Sequence, residues 1–438
     1  MPRENPFKEL TSTVAVVGSG PAGCYLAQAL LKSAPNLEIT MFDQLPTPYG
    51  LVRFGIAPDH QGTKGVERQF ARLFEKQGVR FAGGVRVGYD CTLEQLRERS
   101  DAVVVATGMH ADAGLNIPGI DLPGVYGAGR ITRLLNGHPL EGDGLEGDGI
   151  ESLGEFVSVI GMGNVAIDLV RLLAKEETDF EGSDVIDEVH QELAKDVREI
   201  NVISRSAPRD SKFDPVMVAE LLELQGVAHT VHTAGELPET GAADAADAPE
   251  LHPREAVVRQ LIDHEATGEA RVEVHWWFET TPVRLEGADR AELLVVEHDG
   301  AEHTLETDSL LTAIGFLGTP EQSLIEVSED ARATGRIEPG LYVTGWLRTG
   351  PRGALPDQRS QARELAERIL EDVLDASNRG VKAAGLGDLE FPEATSYQDW
   401  QAIDEFERAS AQPGRVRKKI TTTQGFTDVI ETHRDMQR

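Results

Sequence analysis

Two cysteines, Cys24 and Cys91, in 438 residues are too few for a disulfide framework or a four-thiolate iron–sulfur or zinc site. They lie too far apart in sequence to make a CxxC or CxxxxC redox pair. Positive charge is scarce as well: 42 basic residues against 74 acidic ones leave a formal charge of −32. Such a field repels phosphate backbones and anionic lipid headgroups, so the sequence is read as binding no nucleic acid and no membrane. No apolar run approaches the ~20 residues that cross a bilayer. The opening MPRENPFKEL mixes acids with bases and has no apolar stretch of the kind a secretory signal needs, so a cytoplasmic location is expected. What remains is ordinary globular composition, 40% hydrophobic and 26% charged, in a chain long enough for two or three domains.

Thr13–Val17 is a β-branched apolar run that stops at a glycine-rich turn, which fits a strand buried on both faces of a parallel sheet. Apolar residues then take helical spacing at Tyr25, Leu26, Ala29 and Leu30, and a second strand, Glu38–Phe42, ends at Asp43. Between the first strand and the helix stand Gly18, Gly20 and Gly23 in the pattern GxGxxG, with Pro21 and Ala22 at the helix start. Those glycines permit a tight turn, close approach of a pyrophosphate and close helix–strand packing. Asp43 lies at the end of the next strand, where a carboxylate accepts both ribose hydroxyls.

The pattern restarts after a Gly-, Pro- and acid-rich separator, Gly114–Gly154, which contains the repeat EGDGLEGDG at 141–149, read as a solvated loop. Phe156–Ile160 is a strand. Gly161, Met162, Gly163, Asn164 and Val165 form a second glycine turn, with Ala166 at its third small position. The strand that follows, Ile200–Ser204, leads into Arg205 and Ser206 rather than an acid. An acid selects a free 2′-hydroxyl, whereas arginine accommodates a 2′-phosphate. Two such sites in one polypeptide suggest a flavin held permanently and a nicotinamide that comes and goes. Thr233–Pro249 reads as a flexible excursion, Val272–Phe278 and Leu293–His298 as antiparallel strands, and Leu310–Ile314 and Leu341–Thr344 as further strands. VVVATG at Val103–Gly108 and TAIGF at Thr312–Phe316 place a small-residue turn after a strand. Ala362, Leu365, Ile369 and Val373 form a helical stripe.

Longer motifs give a specific resemblance. TPYGLVRFGIAPDH at Thr47–His60, GMGNVAID at Gly161–Asp168 and GWLRTGPRGAL at Gly345–Leu355 resemble adrenodoxin reductase-type ferredoxin–NADP(+) reductases. IPGIDLPGV at Ile117–Val125 and NGHP at Asn136–Pro139 match too, and the segments keep the family's order over nearly the whole chain. The resemblance implies an α/β fold of two Rossmann-like domains. An FAD domain would comprise residues 1–109 and 317–438, with an NAD(P)H domain, residues 110–316, inserted into it.

By the same resemblance the first glycine turn holds the FAD pyrophosphate and Asp43 its adenosine ribose. Leu51, Trp346, Gly353, Ala354 and Leu355 line the flavin. Gly161–Val165, Arg205 and Ser206 hold NADPH, and His60, near the nicotinamide, is partnered by Glu220. The implied reaction passes a hydride from NADPH to FAD and then single electrons to a ferredoxin-type iron–sulfur protein, in a monomer or weak dimer. The sequence departs from the family at three nicotinamide-cofactor positions: Ser206 stands for a second arginine, Ala113 for an arginine and Met217 for a glutamate. NADH therefore stays possible as a donor, and so does a diaphorase of the same fold. A nucleotide-binding sensor or scaffold without turnover is the reading from another class. A ferredoxin, typically acidic, meets a chain at −32, so docking needs a local basic strip. Arg348, Arg352, Arg359 and Arg363 form one candidate strip, and Arg415, Arg417, Lys418 and Lys419 another.

Overall fold

In the computed structural model the described residues are 5–142, 150, 152–235, 251–266, 269–318, 324–352, 355–378, 383–386, 389 and 391–438. Most of the 141–149 repeat and of the acidic stretch up to residue 249 lies outside them. The chain divides into two compact units, Met1–Ala111 with Phe316–Arg438, and Asp112–Gly315. No helix among the described residues is long and apolar enough to cross a membrane.

The first unit is built on a six-stranded sheet in the order Arg336–Glu338, Leu341–Val343, Ala102–Val105, Thr13–Val17, Glu38–Asp43, Arg80–Gly83. All neighbours are parallel except the first pair. Every residue of Thr13–Val17 is buried, as the β-branched run requires of a strand covered on both faces. One face packs Val14 and Val16 against Cys24, Leu26 and Leu30 of helix Pro21–Ser33, and against Leu365 and Ile369 of helix Leu355–Asn378. The other packs Ala15, Val17, Val103 and Val105 against Leu96 and Leu386. Thr13–Val17 has a parallel neighbour on each side, so its carboxyl end is the point where the strand order reverses.

The second unit repeats this plan. Its six-stranded sheet runs Val125–Gly127, Ser309–Thr312, Phe156–Ile160, Glu199–Ile203, Val272–Trp277, Val227–His232, all parallel. Here two sequence expectations are corrected. Val272–Trp277 does not pair with Leu293–His298. It joins the parallel sheet, because the chain leaving His232 returns through helix Pro253–Asp263, whose Val257, Val258 and Leu261 are buried. Leu293–His298 is instead the middle of a separate antiparallel sheet, between Thr280–Glu286 and Ala301–Glu306. That sheet covers the parallel one through Trp277, Leu294, Val296 and Leu305. The separator Gly114–Gly154 also contributes structure: an edge strand, Val125–Gly127, and helix Ala128–Leu135, which buries Ile131, Leu134 and Leu135. The Asp112 carboxylate accepts from the Gly129 and Arg130 N–H groups and so satisfies that helix's first turn.

Candidate functional site

Each unit places a glycine turn at the carboxyl end of its central strand, and the two turns are built alike. Gly18 N–H donates to Phe42 O at 2.7 Å and Ala106 N–H to Val17 O at 2.7 Å. In the second unit Gly161 N–H donates to Ile203 O at 2.9 Å and Ala313 N–H to Ile160 O at 2.8 Å. The first glycine of each turn has positive φ, +108° for Gly18 and +115° for Gly161. A Cβ there would lie 2.4 Å from Ala106 O and 2.3 Å from Ala313 O, respectively. The short crossings VVVATG and TAIGF thus press on the turns, and only glycine fits between. A Cβ on Gly23 would lie 2.3 Å from Gly18 O, which is the close helix–strand approach expected of the third glycine.

The middle glycines differ in kind. Gly20 has φ −70° and Gly163 φ −100°, conformations open to any residue, and a Cβ on either meets nothing within 4 Å. Glycine is not required there by the fold. What it leaves is open space beside a helix N-terminus, the cradle that a pyrophosphate fills. The residues present therefore fit a dinucleotide in each unit.

Asp43 is half-buried at the first turn. Its Oδ2 accepts from Ser19 N (3.0 Å) and Ser19 Oγ (2.6 Å), and its Oδ1 from Leu45 N (3.0 Å). Burial pushes its carboxyl above the ordinary value, against the pull of these hydrogen bonds. Three of about four acceptor positions on a carboxylate are thus in use, which leaves room for one ribose hydroxyl rather than two. Gly345 has φ +69°, and its Cβ would lie 2.8 Å from Ala22 Cβ, so the Trp346 segment abuts the start of helix Pro21–Ser33. Trp346 is half-buried and stacks on Phe316 with centroids 5.6 Å apart. Leu51 is 38% exposed at the start of the short helix Leu51–Phe54. Gly353 and Ala354 lie outside the described residues, and Leu355 opens the long helix. His60 is half-buried and precedes the short helix Gln61–Lys64.

In the second unit the loop after Glu199–Ile203 folds back on its turn. Gly163 bridges to Lys212, Asn164 Oδ1 accepts from Asp214 N at 2.8 Å, and Ser211 Oγ lies 3.9 Å from Met162 Sδ. Met162 is buried, so the turn offers a ligand its backbone there and not that side chain. Arg205, Arg209 and Lys212 are exposed along this loop, and Ser206 is half-buried. Glu220 opens a short 3-10 turn and pairs with buried Arg171 at 3.1 Å, which also holds Asp168 at 2.8 Å. Nothing in the sequence pattern pointed to Arg171. Both candidate basic strips need correction: Arg348 is buried and caps helix Glu329–Thr334 by donating to Arg332 O and Ala333 O, and Arg417 and Lys419 are buried too. Arg352, Arg359 and Arg363 remain exposed. Cys24 and Cys91 are free and buried, and burial pushes both thiols up, Cys91 to about 11, which keeps them out of thiolate chemistry.

Residues 12–201 match the pyridine nucleotide-disulphide oxidoreductase family. The chain is 38% identical to the cindoxin reductase of Citrobacter braakii, over 94% of this chain and 90% of that protein. It is 34% identical to a probable ferredoxin/ferredoxin–NADP reductase of Mycobacterium bovis, over 96% of this chain and 74% of that protein. Among solved structures it resembles Mycobacterium tuberculosis FprA in complex with NADPH, with a TM-score of 0.84 and 28% identity, over 96% of this chain and 99% of that one. The chain belongs to the adrenodoxin reductase-type ferredoxin–NADP(+) reductase family, within the pyridine nucleotide-disulphide oxidoreductases.

Proposed function

We propose that this chain is an NADPH-dependent flavoenzyme that holds one FAD without a covalent link and delivers electrons singly to a small redox protein of the ferredoxin class. The observation that carries the reading is the doubled glycine turn, one followed by a half-buried, hydrogen-bonded carboxylate and the other by an exposed arginine. FAD, when bound, supplies the exchange between two-electron and one-electron chemistry. The first unit holds it: Gly18–Gly23 and the helix N-terminus take the pyrophosphate, Asp43 one ribose hydroxyl, and Leu51, Trp346, Gly353, Ala354 and Leu355 the flavin. The second unit takes NADPH on the backbone of Gly161–Val165, with Arg205 and Ser206 on the 2′-phosphate. Aligning two rings needs little proton transfer, so the protein's main task is position. The names of the relatives support two acceptors, a ferredoxin and cindoxin. Arg352, Arg359 and Arg363 are the exposed cations offered to such a partner. The same reading places the enzyme in the cytoplasm as a monomer or weak dimer, since one chain supplies both dinucleotide sites.

Anaerobic mixing of the yellow protein with NADPH should bleach its flavin absorbance, and addition of a ferredoxin should restore the colour as the ferredoxin is reduced. Charge reversal at Arg359 and Arg363 should raise KM for ferredoxin, more at low salt than at high, and leave reduction of a small dye unchanged. No bleaching would favour the sensor reading, and rapid reoxidation by oxygen with ferredoxin untouched would favour a diaphorase.

His60 and Glu220 are proposed as tuning groups at the nicotinamide rather than as essential acids or bases. His60→Gln should keep its FAD and alter the rate of flavin reduction by less than the about 10²-fold that a general acid–base supplies. Loss of FAD on this change would make His60 structural.

A further inference from the structure

The motif arginine Arg53 is only 1% exposed, and its guanidinium is committed to the C-terminal segment. Its Nη2 donates to Glu407 Oε1 at 2.6 Å, while Nε and Nη1 reach no hydrogen-bond acceptor among the described residues. The rings of Phe54 and Trp400 lie 5.0 and 4.8 Å from its Cζ. Glu407, on helix Tyr397–Ala409, is fully buried and also accepts from Ile420 N at 2.9 Å. Two ammonium groups, Lys64 and Lys419, converge on the Arg53 carbonyl at 3.3 and 3.2 Å. Arg417 flanks the pair, 3.5 Å from Glu407 Oε2 and 2.5 Å from Asp404.

The other end of this assembly touches the first glycine turn. Arg53 N–H and Phe54 N–H both donate to Gly50 O at 3.0 Å, so one helical turn links Arg53 rigidly to Gly50. Gly50 has φ +46°, and a Cβ there would lie 3.3 Å from Gly20 Cα. Its neighbour Tyr49, φ +80°, donates its N–H to Ser19 O at 3.2 Å, and its hydroxyl meets that of Tyr397 at 2.9 Å. Helix Tyr397–Ala409 therefore grips the motif loop at both ends, and the loop in turn backs Ser19 and Gly20.

We infer that Glu407 is a positioning residue for FAD: through Arg53 it fixes Tyr49 and Gly50 against the pyrophosphate-binding turn. The inference rests on the assignment of that turn to FAD. A buried cation that loses its counter-ion must move toward water or distort its surroundings. The least costly movement is of the short helix Leu51–Phe54, and the turn follows it.

The test uses holoenzyme. FAD release is followed by the rise of free-flavin fluorescence on dilution, beside the visible circular dichroism of the bound flavin and the thermal midpoint. Glu407→Gln should release FAD at least about tenfold faster, a loss of one decade in affinity at an unchanged association rate, and change the flavin dichroism. Glu407→Asp, which keeps the charge, should recover part of both. The double variant R53M/E407M should regain thermal stability, since apolar residues of similar volume replace a buried ion pair well. It should still release FAD fast, having no directional bond to fix the loop. If Glu407→Gln does not fold, the aspartate and double variants decide. FAD release at the wild-type rate in the double variant would overturn the inference and leave the pair a stabilising contact. A wild-type protein that holds no FAD would overturn the assignment of the turn and the inference with it.

Discussion

Gly20→Val should give a protein that folds and is colourless. Gly20 has φ −70° and ψ −177°, which valine adopts readily, and its Cβ would meet no atom within 4 Å. The fold thus has no stake in this glycine. The space beside it is where we propose that the pyrophosphate sits, against the N-terminus of helix Pro21–Ser33, and two methyl groups would occupy it. The expected loss exceeds about a hundredfold in FAD affinity, or about 2.8 kcal/mol. Gly18→Ala supplies the contrast. There φ is +108° and the new Cβ would lie 2.4 Å from Ala106 O, so the variant should lose thermal stability whether or not flavin is present. Visible absorbance of the purified protein, far-UV circular dichroism and the thermal midpoint separate the two outcomes. A Gly20→Val protein that stays yellow at wild-type FAD affinity would remove the pyrophosphate from this turn.

The turns were legible because every signal in them is local. A buried strand, three small residues and a helical stripe lie within about thirty residues, the span of one βαβ unit. Asp43 was found by its place at a strand end, yet its bonds to Ser19 and Leu45 were not, and they change how many hydroxyls it can take. Charge patterning failed where burial decided the role. Arg417 and Lys419 read as half of a basic run, but both are buried, Arg417 against Asp404 and Glu407 and Lys419 on the Arg53 carbonyl. Arg348 likewise went to the carbonyl groups of a helix end 15 and 16 residues upstream. The parallel pairing of Val272–Trp277 was hidden because the same alternating run suits either direction. Only the crossover helix at Pro253–Asp263 settles it.

Arg205→Ala should collapse the preference for NADPH over NADH. Arg205 is exposed at the end of strand Glu199–Ile203, one strand over from the second glycine turn, where the adenosine 2′ position lies in a Rossmann unit. The loop it begins is pinned to that turn by the Gly163–Lys212 bridge and the Asn164–Asp214 bond, so exposed Arg209 and Lys212 share its neighbourhood. A local cluster of cations is what a 2′-phosphate needs in a chain whose charge is −32. A charge-assisted hydrogen bond to phosphate contributes about 1.5–3 kcal/mol, so the variant should lose roughly 10–150-fold in kcat/KM for NADPH and little for NADH. Ser206 should keep the wild-type preference modest. Its hydroxyl can donate one neutral hydrogen bond where a second guanidinium would donate two charged ones, so NADH should be used measurably. Ser206→Arg should widen the ratio and Arg205→Ala should narrow it, with flavin content unchanged in both, because neither residue belongs to the unit assigned to FAD. A ratio unmoved by Arg205→Ala, or a wild type that prefers NADH, would place the 2′-phosphate elsewhere.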